Sequence, residues 1–169
     1  NGRMTFAYNQ KVGVKAAIRG TVSDGAEWTN YEVSTDVFLN PGSGELTRYF
    51  GLVGRYASNS WYEFRIMYSP TGKLTGALAR FNKGQYNVLQ EINAAQLSAC
   101  LESGEVLGTG VLYNVRMSLI DNTIKIYFND HLLLIYTDDS SAALYRGTAG
   151  VRTISNSCVI DEFIVAKKD

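Results

Sequence analysis

Between residues 61 and 68, Tyr62, Phe64, Ile66 and Tyr68 alternate with Trp61, Glu63, Arg65 and Met67. A period of two is the signature of an antiparallel strand with one packed face and one available face. Upstream, the same spacing sets Leu52, Gly54 and Tyr56 against Tyr49, Gly51, Val53 and Arg55, and a polar stretch at 57–60 joins the two arms. The pattern predicts a hairpin over 51–66 whose available face gathers Arg55, Trp61, Glu63 and Arg65.

The rest of the chain repeats this grammar. Short strands are predicted at 3–8 and 11–19, then a long one from Trp28 to Leu39, with Tyr31, Val33, Val37 and Leu39 inward and Glu32, Ser34 and Asp36 outward. Asn40-Pro41-Gly42 ends it, because proline sets the first turn dihedral and glycine accepts the positive one. Strands follow at 73–81 and 86–92 around Lys83-Gly84. Residues 94–109 lack either period and read as a long loop rather than a helical turn after Asn93. Alternation returns at 111–119 and 124–128, and Asn129-Asp130 is a tight turn into 132–137, with final strands at 147–154 and 158–166. About a dozen short strands with turn signals every eight to twelve residues predict an all-β fold, a two-sheet antiparallel β-sandwich of jelly-roll type.

Composition narrows the function. The 169 residues suit a single domain, 1–169, with a substantial core. Lysine plus arginine balance aspartate plus glutamate at 16 each, so no net charge argues for nucleic acid or a membrane surface. No apolar run approaches the ~18 residues of a membrane span. The chain starts at Asn1 without a signal pattern, which is read as an excised module whose export signal is gone or lies upstream. Sixteen glycines and 11 tyrosines fit a turn-rich β domain with sugar-facing surfaces. Cys100 and Cys158 are too far apart for a paired-cysteine metal motif; a disulfide and two buried small hydrophobes both remain open.

The ordered motifs Trp28-Thr-Asn-Tyr-Glu-Val, Gly51-Leu-Val-Gly-Arg-Tyr, Trp61-Tyr-Glu-Phe-Arg-Ile, Tyr113-Asn-Val-Arg-Met, Ile124-Lys-Ile-Tyr-Phe-Asn-Asp, Gly147-Thr-Ala-Gly-Val-Arg and Ile160-Asp-Glu-Phe-Ile-Val carry a resemblance. Across residues 26–166 the chain resembles the concanavalin A-like lectin and glucanase superfamily, nearest to carbohydrate-binding modules of bacterial polysaccharide-degrading enzymes (levan-binding ones among them) and to laminin-G-like domains. The resemblance implies a secreted module, joined to a catalytic domain in its parent chain, that binds a polysaccharide or oligosaccharide. In such modules an aspartate on the last strand binds a structural calcium ion together with N-terminal carbonyls, and Asp161 occupies that place. Asp138 and Asp139 are a rival acidic pair for that ion.

Catalysis is not expected. The Glu-x-Asp-x-x-Glu string of the related hydrolases is missing, and Asp161-Glu162, as strand neighbours, point to opposite faces. A diverged lyase site would have to draw on Tyr62, Arg65 and His131, yet His131 lies in a turn without the Gln-x-His context of the lyase branch. Binding is favoured. Aromatic faces pack on sugar rings and planar polar groups pair with hydroxyls or carboxylates, and Tyr49, Arg55, Trp61, Glu63 and Arg65 supply both, with Arg116 and Arg152 as extensions of the same face. Converging arginines would favour an acidic polysaccharide. The competing reading is cross-strand ion pairs on a solvated sheet, or a laminin-G-like surface that binds a protein partner.

Overall fold

A computed structural model describes residues 17–19, 28–41, 47–154 and 158–168. Its strands are β1 (Ala17–Arg19), β2 (Tyr31–Leu39), β3 (Arg48–Ala57), β4 (Ser60–Tyr68), β5 (Leu74–Asn82) and β6 (Gln85–Ile92), then β7 (Leu112–Ile120), β8 (Thr123–Phe128), β9 (His131–Thr137), β10 (Thr148–Ile154) and β11 (Cys158–Lys167). One sheet has the order β1-β10-β3-β4-β5-β6 and the other β11-β2-β7-β8-β9, with every neighbouring pair antiparallel. The fold is therefore the expected two-sheet β-sandwich. Of the two N-terminal strands read from sequence, 3–8 lies outside the described residues, as does 11–16 of the second.

The alternation explains the core. β2 is buried at every second position, and Tyr31, Val33, Val37 and Leu39 meet Phe50, Leu52, Tyr62, Phe64 and Ile66 of the facing sheet. Burying side chains of this size contributes about 1.5–3 kcal/mol each before the entropy of ordering them is charged. Three hairpins turn on pairs with positive φ at both residues, Ser58-Asn59, Lys83-Gly84 and Asn129-Asp130, the backbone that matches strand twist in two-residue loops.

Two expectations need correction. Within 94–109 the chain forms a one-turn helix, α1 (Ala94–Ser98), because Asn93 accepts from the Gln96 N–H while the Gln96 side chain accepts from the Asn93 N–H. Further upstream, a bulge breaks the period of β3: Gly54 pairs with Tyr62, but the next pair is Ala57 with Ser60. Arg55 sits in that bulge at φ 51 and is turned away from the outer face, while Tyr56 packs on Trp61.

Cys100 and Cys158 are both buried free thiols within the core cluster. Burial pushes both thiols up, Cys158 to about 12, so they behave as small hydrophobes.

Candidate functional site

On β4, Trp61, Glu63 and Arg65 succeed one another on the face turned away from the core, about 6.6 Å apart along the strand. Glu63 sits in the middle and its side chain is wholly buried. Arg65 Nε donates to Glu63 Oε1 at 2.6 Å; Trp61 Nε1 and Arg152 Nη1 donate to Oε2 at 3.1 and 3.3 Å. Arg152 reaches Glu63 from β10 because it pairs with Gly51, which in turn pairs with Arg65. The absent side chain of Gly51 makes room for the carboxylate: a Cβ there would lie 2.7 Å from Glu63 Cδ. A buried carboxylate of this kind is tolerated because three donors replace its lost water.

Aromatic rings frame the two arginines. Arg65 Cζ lies 4.0 Å from the Tyr49 ring centre and 4.6 Å from that of Tyr86, rings contributed from opposite sides of β4. Arg152 Cζ lies 4.9 Å from Phe81 and 5.5 Å from Tyr49. Phe81 stacks on Trp61 with centroids 4.2 Å apart and meets Tyr86 at 4.9 Å with the rings tilted by 50°. Burial raises the Tyr49 and Tyr86 hydroxyl pKa values, against the pull of Arg152 and Arg65 respectively, so both phenols are neutral donors at ordinary pH.

Beside this cluster runs an open groove of about 550 Å³, within the size range of small-ligand sites. It is lined by Arg65 and Met67 of β4, Thr75 and Ala77 of β5, Tyr86, Val88 and Glu91 of β6, and Asn93 and Gln96 at the α1 cap. The α1 cap fixes Asn93 and Gln96 there by their backbone-directed oxygens, and neither amide NH2 group has a hydrogen-bond partner among the described residues. Tyr86 is 41 % exposed, whereas Trp61 is only 5 % exposed and serves as support for Glu63.

The structure brings Tyr49, Trp61, Glu63, Arg65 and Arg152 together and separates three other expected residues from them. Arg55 is buried; its guanidinium donates to the backbone oxygens of Thr29 and Leu144, the consequence of the β3 bulge. Arg116 lies on β7 of the other sheet, 3.4 Å from Glu32 and 3.9 Å over Tyr127, and does not extend the patch. Asp161, exposed on β11, turns its Oδ1 to the N–H of Glu162. The N-terminal carbonyls expected beside it lie outside the described residues, and no group of three or more His, Cys, Asp or Glu among the described residues is placed to hold a metal ion. Asp138, its rival, is engaged by Arg80, Tyr62 and Ser140.

The lyase trio does not assemble either. Tyr62 faces the core, Arg65 the outer face, and His131 is exposed on the edge strand of the other sheet, 3.8 Å from Glu102.

Sequence reasoning missed Tyr86, Phe81, Gly51 and Glu91. The strand at 86–92 was legible, and pairing it to β5 would have aligned Tyr86 with Phe81 and Phe81 with Trp61. The bulge between Leu78 and Ala79 comes after that row and hides the pairing that sets Glu91 opposite Ala77.

No family model matches the sequence, and no curated protein matches it. Among solved structures, the carbohydrate binding module CBM66 from Bacillus subtilis aligns with a TM-score of 0.67 at 16 % identity, over 97 % of each chain. The galectin LEC-6 of Caenorhabditis elegans aligns at 0.55 and 7 % identity, over 94 % of this chain and 95 % of that one. This chain has the concanavalin A-like jelly-roll fold. The alginate lyase Aly36B shares it too, at 0.56 and 14 % identity over 97 % and 80 % of the two chains, so the jelly roll serves binders and enzymes alike and the site must carry the assignment.

Proposed function

We propose that this jelly roll is a non-catalytic carbohydrate-binding module of a secreted polysaccharide-active enzyme, and that the groove bounded by Arg65 and Tyr86 holds the glycan. The observation that carries the reading is the fixed arginine: Nε is anchored on a buried carboxylate, the guanidinium lies over two tyrosine rings, and among the described residues neither Nη group is hydrogen-bonded, which leaves both for a second partner. A preordered fork beside an exposed aromatic ring is what sugar recognition requires, since little side-chain entropy is then lost on binding. Trp61, Glu63 and Arg152 are positioning residues in this reading, and Tyr49 clamps Arg65 from behind. The nearby acid, Glu63, is sequestered by its three donors, so no proton-transfer step is assigned to it.

Affinity gel electrophoresis tests the reading with neutral gels of levan, xylan and β-glucan and acidic gels of polygalacturonate, alginate and hyaluronan. Retardation is expected in one class, reduced about tenfold or more in apparent affinity by Tyr86→Ala and Arg65→Ala, and unchanged in Arg116→Ala on the opposite sheet. No retardation in any gel overturns the glycan reading and favours a protein partner. Loss of retardation with a chelator would bring calcium at Asp161 into the account.

A further inference from the structure

The register of the outer face places three unlike residues in one row. Arg65 on β4 pairs with Ala77 on β5, and Ala77 pairs with Glu91 on β6. Cross-strand partners share a face, so the Arg65 and Glu91 backbones stand two strand spacings apart, roughly 9.6 Å, with only a methyl group between them. All three line the groove. The groove is thus bipolar, with a donor fork on β4, an acceptor carboxylate on β6 and a small apolar residue between them on β5.

We infer that the row Arg65–Ala77–Glu91 is a subsite for one uronate unit of an acidic glycan, its carboxylate on Arg65 and its hydroxyl edge on Glu91. This rests on the glycan-binding reading above. Three observations select a carboxylate over a plain hydroxyl at Arg65. Among the described residues, Glu63 is the one anion contacting both guanidiniums of the cluster, so Arg65 with Arg152 behind it leaves a surplus positive charge beside the groove. The Arg65 fork is fixed in direction by Glu63 and the tyrosines, the preorganisation that planar bidentate pairing with a carboxylate exploits. Burial is asymmetric as well: the Arg65 side chain is 11 % exposed, so its remaining donors meet little competing water, whereas Glu91 is exposed. Glu91 is exposed, so water and salt screen its repulsion of a bound uronate while it still accepts from sugar hydroxyls.

The test compares each acidic polysaccharide of the panel, polygalacturonate, alginate and hyaluronan, with its methyl-esterified form by titration calorimetry. The expected result is that one acid binds, that its ester binds at least tenfold more weakly, that Arg65→Lys (charge kept, fork lost) weakens the acid at least tenfold, and that Glu91→Gln weakens it about threefold. Because Glu91 is exposed, that variant is free of folding complications. An ester bound as well as its acid overturns the inference and leaves the glycan reading standing, as does a neutral polysaccharide bound when no acid is. Full affinity in Glu91→Gln removes the subsite as drawn. Failure of every polysaccharide, neutral or acidic, overturns both.

Discussion

Gly51 shows how much of the candidate site depends on an atom that is not there. It lies between Arg152 and Arg65 across the sheet, and the Glu63 carboxylate fills the space above it. Gly51→Ala would force a methyl against Glu63 Cδ and Cγ, and Glu63 is locked by three donors and cannot swing away. The expected outcome is a loss of about 1–3 kcal/mol of stability, typical of overpacking, with glycan affinity falling further than in a core variant of equal destabilisation. Urea unfolding beside calorimetry separates the two effects. Nothing in the local sequence marks this glycine as different from the other fifteen; its role appears only when β10, β3 and β4 are in register.

At the scale of the element, the β3–β4 hairpin was legible in outline and misread at one point. Alternation placed Tyr62, Phe64 and Ile66 in the core and Trp61, Glu63 and Arg65 outside, as the structure has them. The same rule put Arg55 outside, because a period of two cannot announce the extra residue of a bulge. The physical reason for the bulge lies far away in sequence: Arg55 satisfies carbonyls of Thr29 and Leu144, and its own N–H donates to the Tyr31 hydroxyl. The hairpin turn, by contrast, can be improved from local rules. Ser58 and Asn59 both hold positive φ, which Asn-Gly adopts with less strain. The double change Ser58→Asn with Asn59→Gly is expected to raise stability by about 0.5–1 kcal/mol, read as a higher melting temperature with unchanged glycan affinity.

Across the whole molecule, the sheets are tied at one end by a polar knot. Asp138, which follows β9 of one sheet, accepts from Tyr62 of β4 and Arg80 of β5 in the other, and from Ser140. Burial alone would raise the Asp138 carboxyl, but the hydrogen bonds from Ser140, Tyr62 and Arg80 outweigh it and hold the carboxyl below its usual value. A depressed folded-state pKa contributes stability that is present above the unfolded value, about 3.9, and is lost as pH falls through the folded one. Asp138→Asn is therefore expected to cost on the order of 3 kcal/mol near neutrality and to flatten the loss of stability below about pH 4, checked by denaturant midpoints from pH 7 to 2. The fold class was readable because it rests on many alternating positions, each of which tolerates an error. The knot and the groove were not, since Arg80 with Asp138, and Arg65 with Glu91, join strands whose pairing is fixed only by the assembled sheets.

The stacked indole of Trp61 gives the protein an optical consequence. Its N–H ends on the same carboxylate that anchors Arg65, and its ring lies nearly parallel to Phe81 at 10°. In the proposed uronate subsite, a ligand anion arriving at Arg65 would draw on the guanidinium that Glu63 shares, and so change the field felt along the indole N–H. With Trp28 as the other indole of the chain, the emission colour of Trp61 becomes a built-in gauge of groove occupancy, silent in Trp61→Phe and readable without any label.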